Sequence, residues 1–323
     1  MKALKLGMVG GGQGAFIGGV HRMAARLDGR WELVAGALSS HPARAEASAK
    51  ELGLDPKRSY QSYAEMAVQE AARADGIDAV AIVTPNHMHA GPAIAFLEAG
   101  IHVICDKPLA ATSEQAQLID AAVRASKAHF ILTHNYTGYP VIRQARKLVE
   151  NGELGEIRVI QAEYAQDWLS EAADNKQADW RVNPEKSGAG AIGDIGTHAL
   201  NLASFVSGLQ PQALCADLHS FVDGRRVDDN AHIMLRFEKG AKGMLWASQV
   251  AVGCENTLTL RIYGEKAGLE WQQENPNQLS FTRFGQAKQL LTRGGAGFGE
   301  TAGDWTRIPP GHPEGYLEGF ETL

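Results

Sequence analysis

Cysteine is scarce. Cys105, Cys215 and Cys254 are the only three in 323 residues, widely separated and with no C-x-x-C or histidine-rich spacing around them. Neither a disulfide framework nor a structural metal site is expected, and a reducing compartment fits. Long apolar runs are missing as well: none approaches the roughly 20 residues a membrane-spanning helix needs. Charge of one sign is not concentrated anywhere. Lys and Arg number 31 against 37 Asp and Glu, a net of −6, with no basic or acidic block. Nucleic-acid and membrane partners are therefore not expected. The stretch 1–7 carries no apolar leader and no twin arginine, so the expected location is cytoplasmic.

What is present is a soluble composition, 44% hydrophobic and 21% charged, on a chain long enough for two cores. Residues 4–9 read as a short buried strand and run into Gly10-Gly11-Gly12-Gln13-Gly14-Ala15. Apolar residues then recur at helical spacing from Phe16 to Leu27. A G-x-G-x-x-A turn between a strand and a helix is the context of a dinucleotide site. Gly10 permits the tight turn, Gly12 admits a pyrophosphate to the backbone, and Ala15 allows close helix–strand packing. Gln13 and Phe16 lie on the same turn and helix start.

The second strand, 32–38, ends in Ser39-Ser40-His41-Pro42 with Arg44 following. An NAD-selective site usually ends this strand in a carboxylate for the ribose hydroxyls. Its absence leaves room for a 2′-phosphate, and Arg44 is placed to meet one. Ser40 can equally cap the helix 42–52, so NAD and NADP both remain open. A short third strand is expected around 59–60 and a helix over 63–73. Strand 77–83 follows, ending at Thr84-Pro85-Asn86-His87-Met88-His89. Strand 101–105 ends at Asp106-Lys107-Pro108. Thr112 and Gln115 form a capping-box signature for helix 113–127, and 130–133 is the last strand of the series. Alternation at this spacing predicts a doubly wound parallel sheet with right-handed crossovers, that is, a Rossmann domain over 1–133.

From residue 134 the pattern changes. A helix over 139–150 and a long strand over 156–166 precede Gly193-Asp194-Ile195-Gly196-Thr197-His198, which reads as a helix start with Asp194 and His198 one turn apart. Strand-like stretches follow at 213–222, 230–237, 243–250, 257–263 and 269–273. An α+β domain over 134–323 with a mostly antiparallel open sheet is expected, its broad face available for self-association as a dimer or tetramer. Residues 285–315 are rich in glycine and proline. They read as a surface loop or as a flap presenting Trp305 or His312 to substrate. Residues 315–323 begin a helix whose apolar face runs out at the terminus, so a helix cut short is expected.

Taken in order, the glycine turn with Gly10, Gly12 and Ala15, Thr84-Pro85-Asn86 with His89, Asp106-Lys107-Pro108, and Asp194 with His198 resemble the glucose–fructose oxidoreductase / inositol dehydrogenase / MocA family of NAD(P)-dependent oxidoreductases. The resemblance spans essentially the whole chain. It implies a catalytic set of Lys107, Asp194 and His198, with Asp106 standing where the family usually has Glu. It also implies that Tyr136, Trp180 and Arg181, with the loop 186–190, approach substrate, and that the substrate is a sugar, inositol or related polyol.

The chemistry suits these residues. Oxidising a secondary alcohol removes a hydroxyl proton while the carbon gives up hydride. A neutral histidine accepts such a proton near pH 7, a carboxylate orients it, and a lysine stabilises alkoxide charge. The rival expectations are a redox-neutral glycoside-processing enzyme that retains its NAD, and a dinucleotide-sensing regulator with no reaction.

Overall fold

The computed structural model describes residues 3–172, 175–299 and 303–323. Two compact units make up the chain: Met1–Thr133 with Glu185–Gly188, and His134–Pro184 with Ala189–Leu323. A division only at 133/134 thus misses four residues that return to the first unit. Their tie is visible in the bonds from Asn86 Nδ2 to the Ser187 carbonyl (2.9 Å) and between His87 Nδ1 and the Lys186 carbonyl (3.2 Å).

In the first unit β1 (Leu4–Gly10), α1 (Phe16–Leu27), β2 (Trp31–Ala37), α2 (Pro42–Glu51), α3 (Tyr63–Ala72), β3 (Ala79–Val83), α4 (Ala90–Glu98), β4 (His102–Cys105), α5 (Ser113–Ala125) and β5 (Phe130–Leu132) alternate. The five strands form one sheet in the order β2-β1-β3-β4-β5, every pair parallel. β3 shows why the sheet is covered on both faces. Val80 and Ile82 join one core with Phe96, Val103 and Ile119, while Ala79, Ala81 and Val83 join another with Leu6, Met8 and Leu38. Alternation along one strand thus fills two layers. The strand order reverses at β1, with β2 on one side and β3 on the other, and that is where such folds open a crevice at the strand C-termini.

The third strand expected at 59–60 is not formed. Pro56 opens a 3₁₀ turn (Pro56–Arg58), and Ser62 already caps α3 by accepting from the Glu65 N–H. Ser59 makes a single isolated bridge to Gly36.

The second unit contains α6 (Pro140–Glu150), β6 (Ile157–Ala165), α7 (Lys176–Arg181), α8 (Pro184–Ser187, whose last three residues lie in the first unit), α9 (Thr197–Ser207), β7 (Pro211–His219), β8 (Asn230–Phe237), β9 (Lys242–Ser248), β10 (Thr257–Gly264), β11 (Ala267–Gln272), β12 (Gln278–Arg283), β13 (Gln289–Thr292) and α10 (Tyr316–Glu321). Eight strands form one sheet in the order β13-β12-β11-β10-β6-β9-β8-β7. Every pairing is antiparallel except β6 with β9. Ile142 and Ala145 of α6 share a core with Ala199, Leu202 and Val206 of α9 and with Leu245, Leu260 and Trp271 of the sheet.

Residues 285–315 differ from the expected loop. They contain β13, which pairs with β12. The segment after it is anchored by Arg293, only 2% exposed, whose guanidinium pairs with Glu314 and donates to the carbonyls of Ile308, Pro309 and His312. Glycine and proline supply the tight turns, but a buried ion pair fixes their path. Residues 300–302 lie outside the described residues.

Candidate active site

The glycine turn is built by crowding. Gly10 has a φ of 80°, which a side chain would resist, and it turns the chain out of β1. A Cβ on Gly12 would lie 2.6 Å from Ser48 Oγ and 2.8 Å from the Leu38 carbonyl. The close helix–strand approach assigned to Ala15 belongs instead to Gly18, which packs against Gly11 with no room for a side-chain carbon. Ala15 ends the turn, its N–H bonded to the Gly12 carbonyl at 3.1 Å, and precedes α1 in extended conformation.

A cleft of about 320 Å³ opens beside this turn, lined by Gly11 to Phe16 with Arg22, Ser48, Glu51 and Leu52. Gln13 is fixed at both ends: its N–H donates to Ser48 Oγ (3.0 Å) and its side chain to Glu51 (3.0 Å). Arg22 donates to the Gly11 carbonyl at 2.7 Å. Burial, then the neighbouring Arg26, lowers the Arg22 pKa. Ser48, Glu51 and Arg22 carry no sequence signature; only the folding of α1 and α2 around the turn reveals them. Phe16 is 65% exposed.

Ser40 does not cap α2. His41 occupies that position without a side-chain bond, and Ser39 Oγ accepts from its N–H (3.1 Å). Arg44 and Ser40 are exposed.

The loops after β3 and β4 are tied to each other. His89 is fully buried, and its two ring nitrogens face the carbonyls of Thr84 and Pro108, each at 2.9 Å. It braces Thr84-Pro85-Asn86 against Lys107-Pro108. Asn86 is also buried, and its amide bonds Ser187. Asp106, beside Lys107, accepts from the Thr133 hydroxyl (2.7 Å) and faces His21 Nε2 at 3.6 Å. Burial alone would raise its pKa. The bond and charge of His21, the Lys107 ammonium and the Thr133 hydroxyl outweigh it and hold the carboxyl below its ordinary value.

In the second unit, the helix that carries Asp194 begins earlier than expected. A π turn (Ile192–Gly196) leads into α9, so Asp194 lies inside the helical path and does not cap it. The cap comes from a distant residue. Asp228 accepts the N–H of Gly190 (2.8 Å) on one carboxylate oxygen and the N–H of Ile192 (2.7 Å) on the other. With its N-terminal donors satisfied elsewhere, the Asp194 carboxylate is available to side chains. Its Oδ2 accepts from Arg181 Nε (3.1 Å) and Gln249 Nε2 (2.9 Å). A wider π turn inside an α-helix is a recurrent feature of functional sites.

His198 is 6% exposed and lies among aromatic rings: Tyr136 at 4.8 Å, His134 at 5.3 Å and Tyr164 at 6.1 Å between centroids. The Tyr136 hydroxyl bonds that of Tyr164 at 2.6 Å, and Tyr164 donates to Asn256. Burial raises the pKa of both phenols, keeping them neutral. The Arg181 guanidinium lies over the Trp180 ring, 4.4 Å from its centroid. His312 sits in an exposed turn whose path Arg293 fixes. Asp228 and Gln249, the two residues that shape the Asp194 site most directly, fall outside every sequence motif.

A parallel sheet that opens through a glycine turn, joined to an α+β unit carrying an aspartate–histidine helix, defines an NAD-binding oxidoreductase. Residues 4–136 match the oxidoreductase family with an NAD-binding Rossmann fold, and residues 142–270 match the GFO/IDH/MocA C-terminal domain. The chain belongs to the GFO/IDH/MocA family. It is 31% identical over 303 residues to levoglucosan dehydrogenase of Pseudarthrobacter phenanthrenivorans, covering 86% of this chain and 76% of that protein. Among solved structures, an oxidoreductase from Sinorhizobium meliloti is 57% identical with a TM-score of 0.93, covering 100% of this chain and 86% of the other. An inositol dehydrogenase homolog from Azotobacter vinelandii, complexed with NADH and myo-inositol, is 39% identical with a TM-score of 0.93, covering 100% and 84%.

Proposed function

We propose that this protein oxidises a secondary hydroxyl of a sugar, inositol or related polyol, or reduces the matching ketone, with NAD or NADP. The observation that carries the reading is the Asp194–His198 helix. Its start is capped by Asp228, which frees Asp194 for two side-chain donors, and His198 is nearly enclosed a turn further on.

The cleft of about 320 Å³ lined by Gly11 to Phe16 supports a dinucleotide at the glycine turn, while glycine at 12 is required by packing, because a Cβ there would run into Ser48 and Leu38. Gly10, Gly12, Gln13, Ala15 and Phe16 would hold the pyrophosphate, and Ser39, Ser40 and Arg44 the adenosine side. Thr84, Pro85, Asn86, Asp106 and Lys107 would border the nicotinamide, with His89 bracing them from beneath. The bound nicotinamide supplies the hydride acceptor. His198 takes the hydroxyl proton, and the Asp194 carboxylate bonds either the imidazole, favouring the productive tautomer, or a substrate hydroxyl. Lys107 acts on the same hydroxyl by stabilising negative charge on its oxygen. Tyr136, Trp180, Arg181 and His312 are the proposed substrate-side residues, and the Tyr136 ring lies 4.8 Å from that of His198 between centroids.

The similarity to proteins named for levoglucosan and complexed with myo-inositol supports a cyclic polyol or anhydrosugar. A homodimer or tetramer is proposed from the outer face of the eight-stranded sheet, where Met234 and Met244 pair across β8 and β9 and both are exposed, with Val159 and Tyr263 alongside. The test is a panel of inositols, anhydrosugars and aldoses with each cofactor, read by the absorbance of reduced nicotinamide. Turnover of a cyclic polyol supports the reading. Tight dinucleotide binding without turnover of any panel member favours the sensor.

A further inference from the structure

We infer that Gln249 is a positioning residue for Asp194, acting together with Arg181. The inference rests on the catalytic reading of Asp194 and His198 and names what holds that carboxylate in place. Both donors converge on a single atom, Oδ2 of Asp194, at 2.9 Å from Gln249 Nε2 and 3.1 Å from Arg181 Nε. Two donors on one oxygen fix the rotation of the carboxylate plane, which a single bond does not.

Gln249 is suited to the task because it cannot wander. It is 2% exposed and follows directly on β9. Its backbone is pinned on both sides: its N–H donates to the Asp229 carbonyl (2.8 Å), and its carbonyl accepts from the Leu169 N–H (3.2 Å). Asp229 is the neighbour of Asp228, so the residue that caps the Asp194 helix and the residue that anchors Gln249 are adjacent in the chain. Helix start and carboxylate partner therefore share one frame.

The two donors differ in kind. Arg181, resting on Trp180, brings positive charge that favours the ionised carboxylate. Gln249 brings a dipole with no net charge. It orients the carboxylate while leaving its negative charge in place. Among the described residues, His198 lies one turn further along the same helix, Asp228 caps its start, and the Asp194 charge helps to raise the pKa values of Tyr136 and Tyr164. With both phenols neutral, Arg181 brings a cation to Asp194 Oδ2 and Gln249 a neutral donor to the same oxygen.

The test follows the Asp194 carboxyl itself. Full-length protein with carboxyl-labelled aspartate is titrated by carbon NMR, with Asp194→Asn assigning the signal, and turnover is measured with myo-inositol and levoglucosan. In Gln249→Leu the Asp194 midpoint rises by about one unit, because a charge-assisted bond is lost. Its kcat falls about tenfold to a hundredfold with KM within a few-fold. Gln249→Glu gives a signature that a packing role does not. At acidic pH the new carboxyl is neutral and donates to Asp194, so activity approaches that of the wild type. As pH rises the two carboxylates repel, and the ratio of variant to wild-type activity falls. An unchanged Asp194 midpoint in Gln249→Leu, or a pH-independent ratio in Gln249→Glu, overturns the inference. His198→Ala separates this from the reading beneath it. Full turnover in that variant sinks the catalytic assignment, whereas loss of turnover there with wild-type behaviour in both Gln249 variants sinks the positioning role alone.

Discussion

Asp228 reaches back 38 residues to receive the Gly190 N–H at 2.8 Å, while its own backbone carbonyl occupies the space a side chain on Gly190 would need. The same residue accepts from Ile192, and its carbonyl accepts from Ala191. Three consecutive backbone donors at the start of the Asp194 helix are thus satisfied by one residue from just before β8. Asp228→Ala is expected to cost about 1–2 kcal/mol of stability, as for loss of a helix cap, and to lower turnover by more than that loss of fold explains, since the helix start sets where Asp194 lies. Gly190→Ala should be the harsher change because backbone has to move. Urea melts alongside kcat check both. Melts and kcat equal to wild type in Asp228→Ala would remove the cap from the account.

How far the site can be read from sequence divides along the same line. The elements of the first unit come from strong local signals: continuous apolar strands, capping residues at Ser62 and Thr112, and a glycine turn in strand–helix context. Thr112 accepts the Gln115 N–H, and the return bond from Gln115 goes to the Ala111 N–H, one residue earlier than a capping box predicts. What the sequence hides is long-range. Asp194 followed by an apolar run is a fair local helix start, yet the tertiary cap at Asp228 moves the start upstream and converts the turn to π geometry. Gly18 is hidden likewise, because its requirement comes from Gly11 across the helix–strand contact. β12 and β13 went unread because both are short, four to six residues, and set among glycine turns that look like loop.

Arg293 and Glu314, 2% and 3% exposed, hold residues 306–316 in place. Glu314 also accepts from the backbone N–H groups of Arg307 (2.6 Å) and Ile308 (2.9 Å). Removing one partner of such a pair leaves a buried charge uncompensated and costs about 3–5 kcal/mol. Glu314→Ala and Arg293→Ala are both expected to destabilise by that order, and the double change by less than their sum. Thermal melts of the four proteins form the cycle. Strict additivity would show that the pair is not coupled.

Asp106 gives a pH dependence with a definite sign. Its pKa in the folded protein lies below the ordinary value near 4. The contribution to stability is therefore present in full above about pH 4 and is lost as pH falls through the depressed folded value. Asp106→Asn should be less stable than wild type at neutral pH, and the difference should shrink in acid. Urea midpoints from about pH 6 down to about pH 3 decide it. A constant difference across that range would mean that the carboxyl's charge is not what Thr133 and His21 hold.

The sharpest separation of roles comes from Lys107 and His198, because a base and an electrostatic stabiliser fail differently. His198→Ala removes the proposed proton acceptor and should lower kcat by about 10²–10⁴-fold, with dinucleotide affinity unchanged. The loss should shrink when imidazole is added in solution, because a free base then takes over part of the proton removal. Lys107→Met removes the positive charge proposed to face the alkoxide. It should lower kcat by a comparable factor, but its deficit should not be relieved by added imidazole, which supplies a proton acceptor and not the missing ammonium. Lys107→Arg keeps the charge while changing the geometry of donation, and is expected to recover only part of the rate. If the two deficits respond to added imidazole in the same way, His198 and Lys107 are not base and stabiliser, and the assignment of the proton to the imidazole has to be withdrawn.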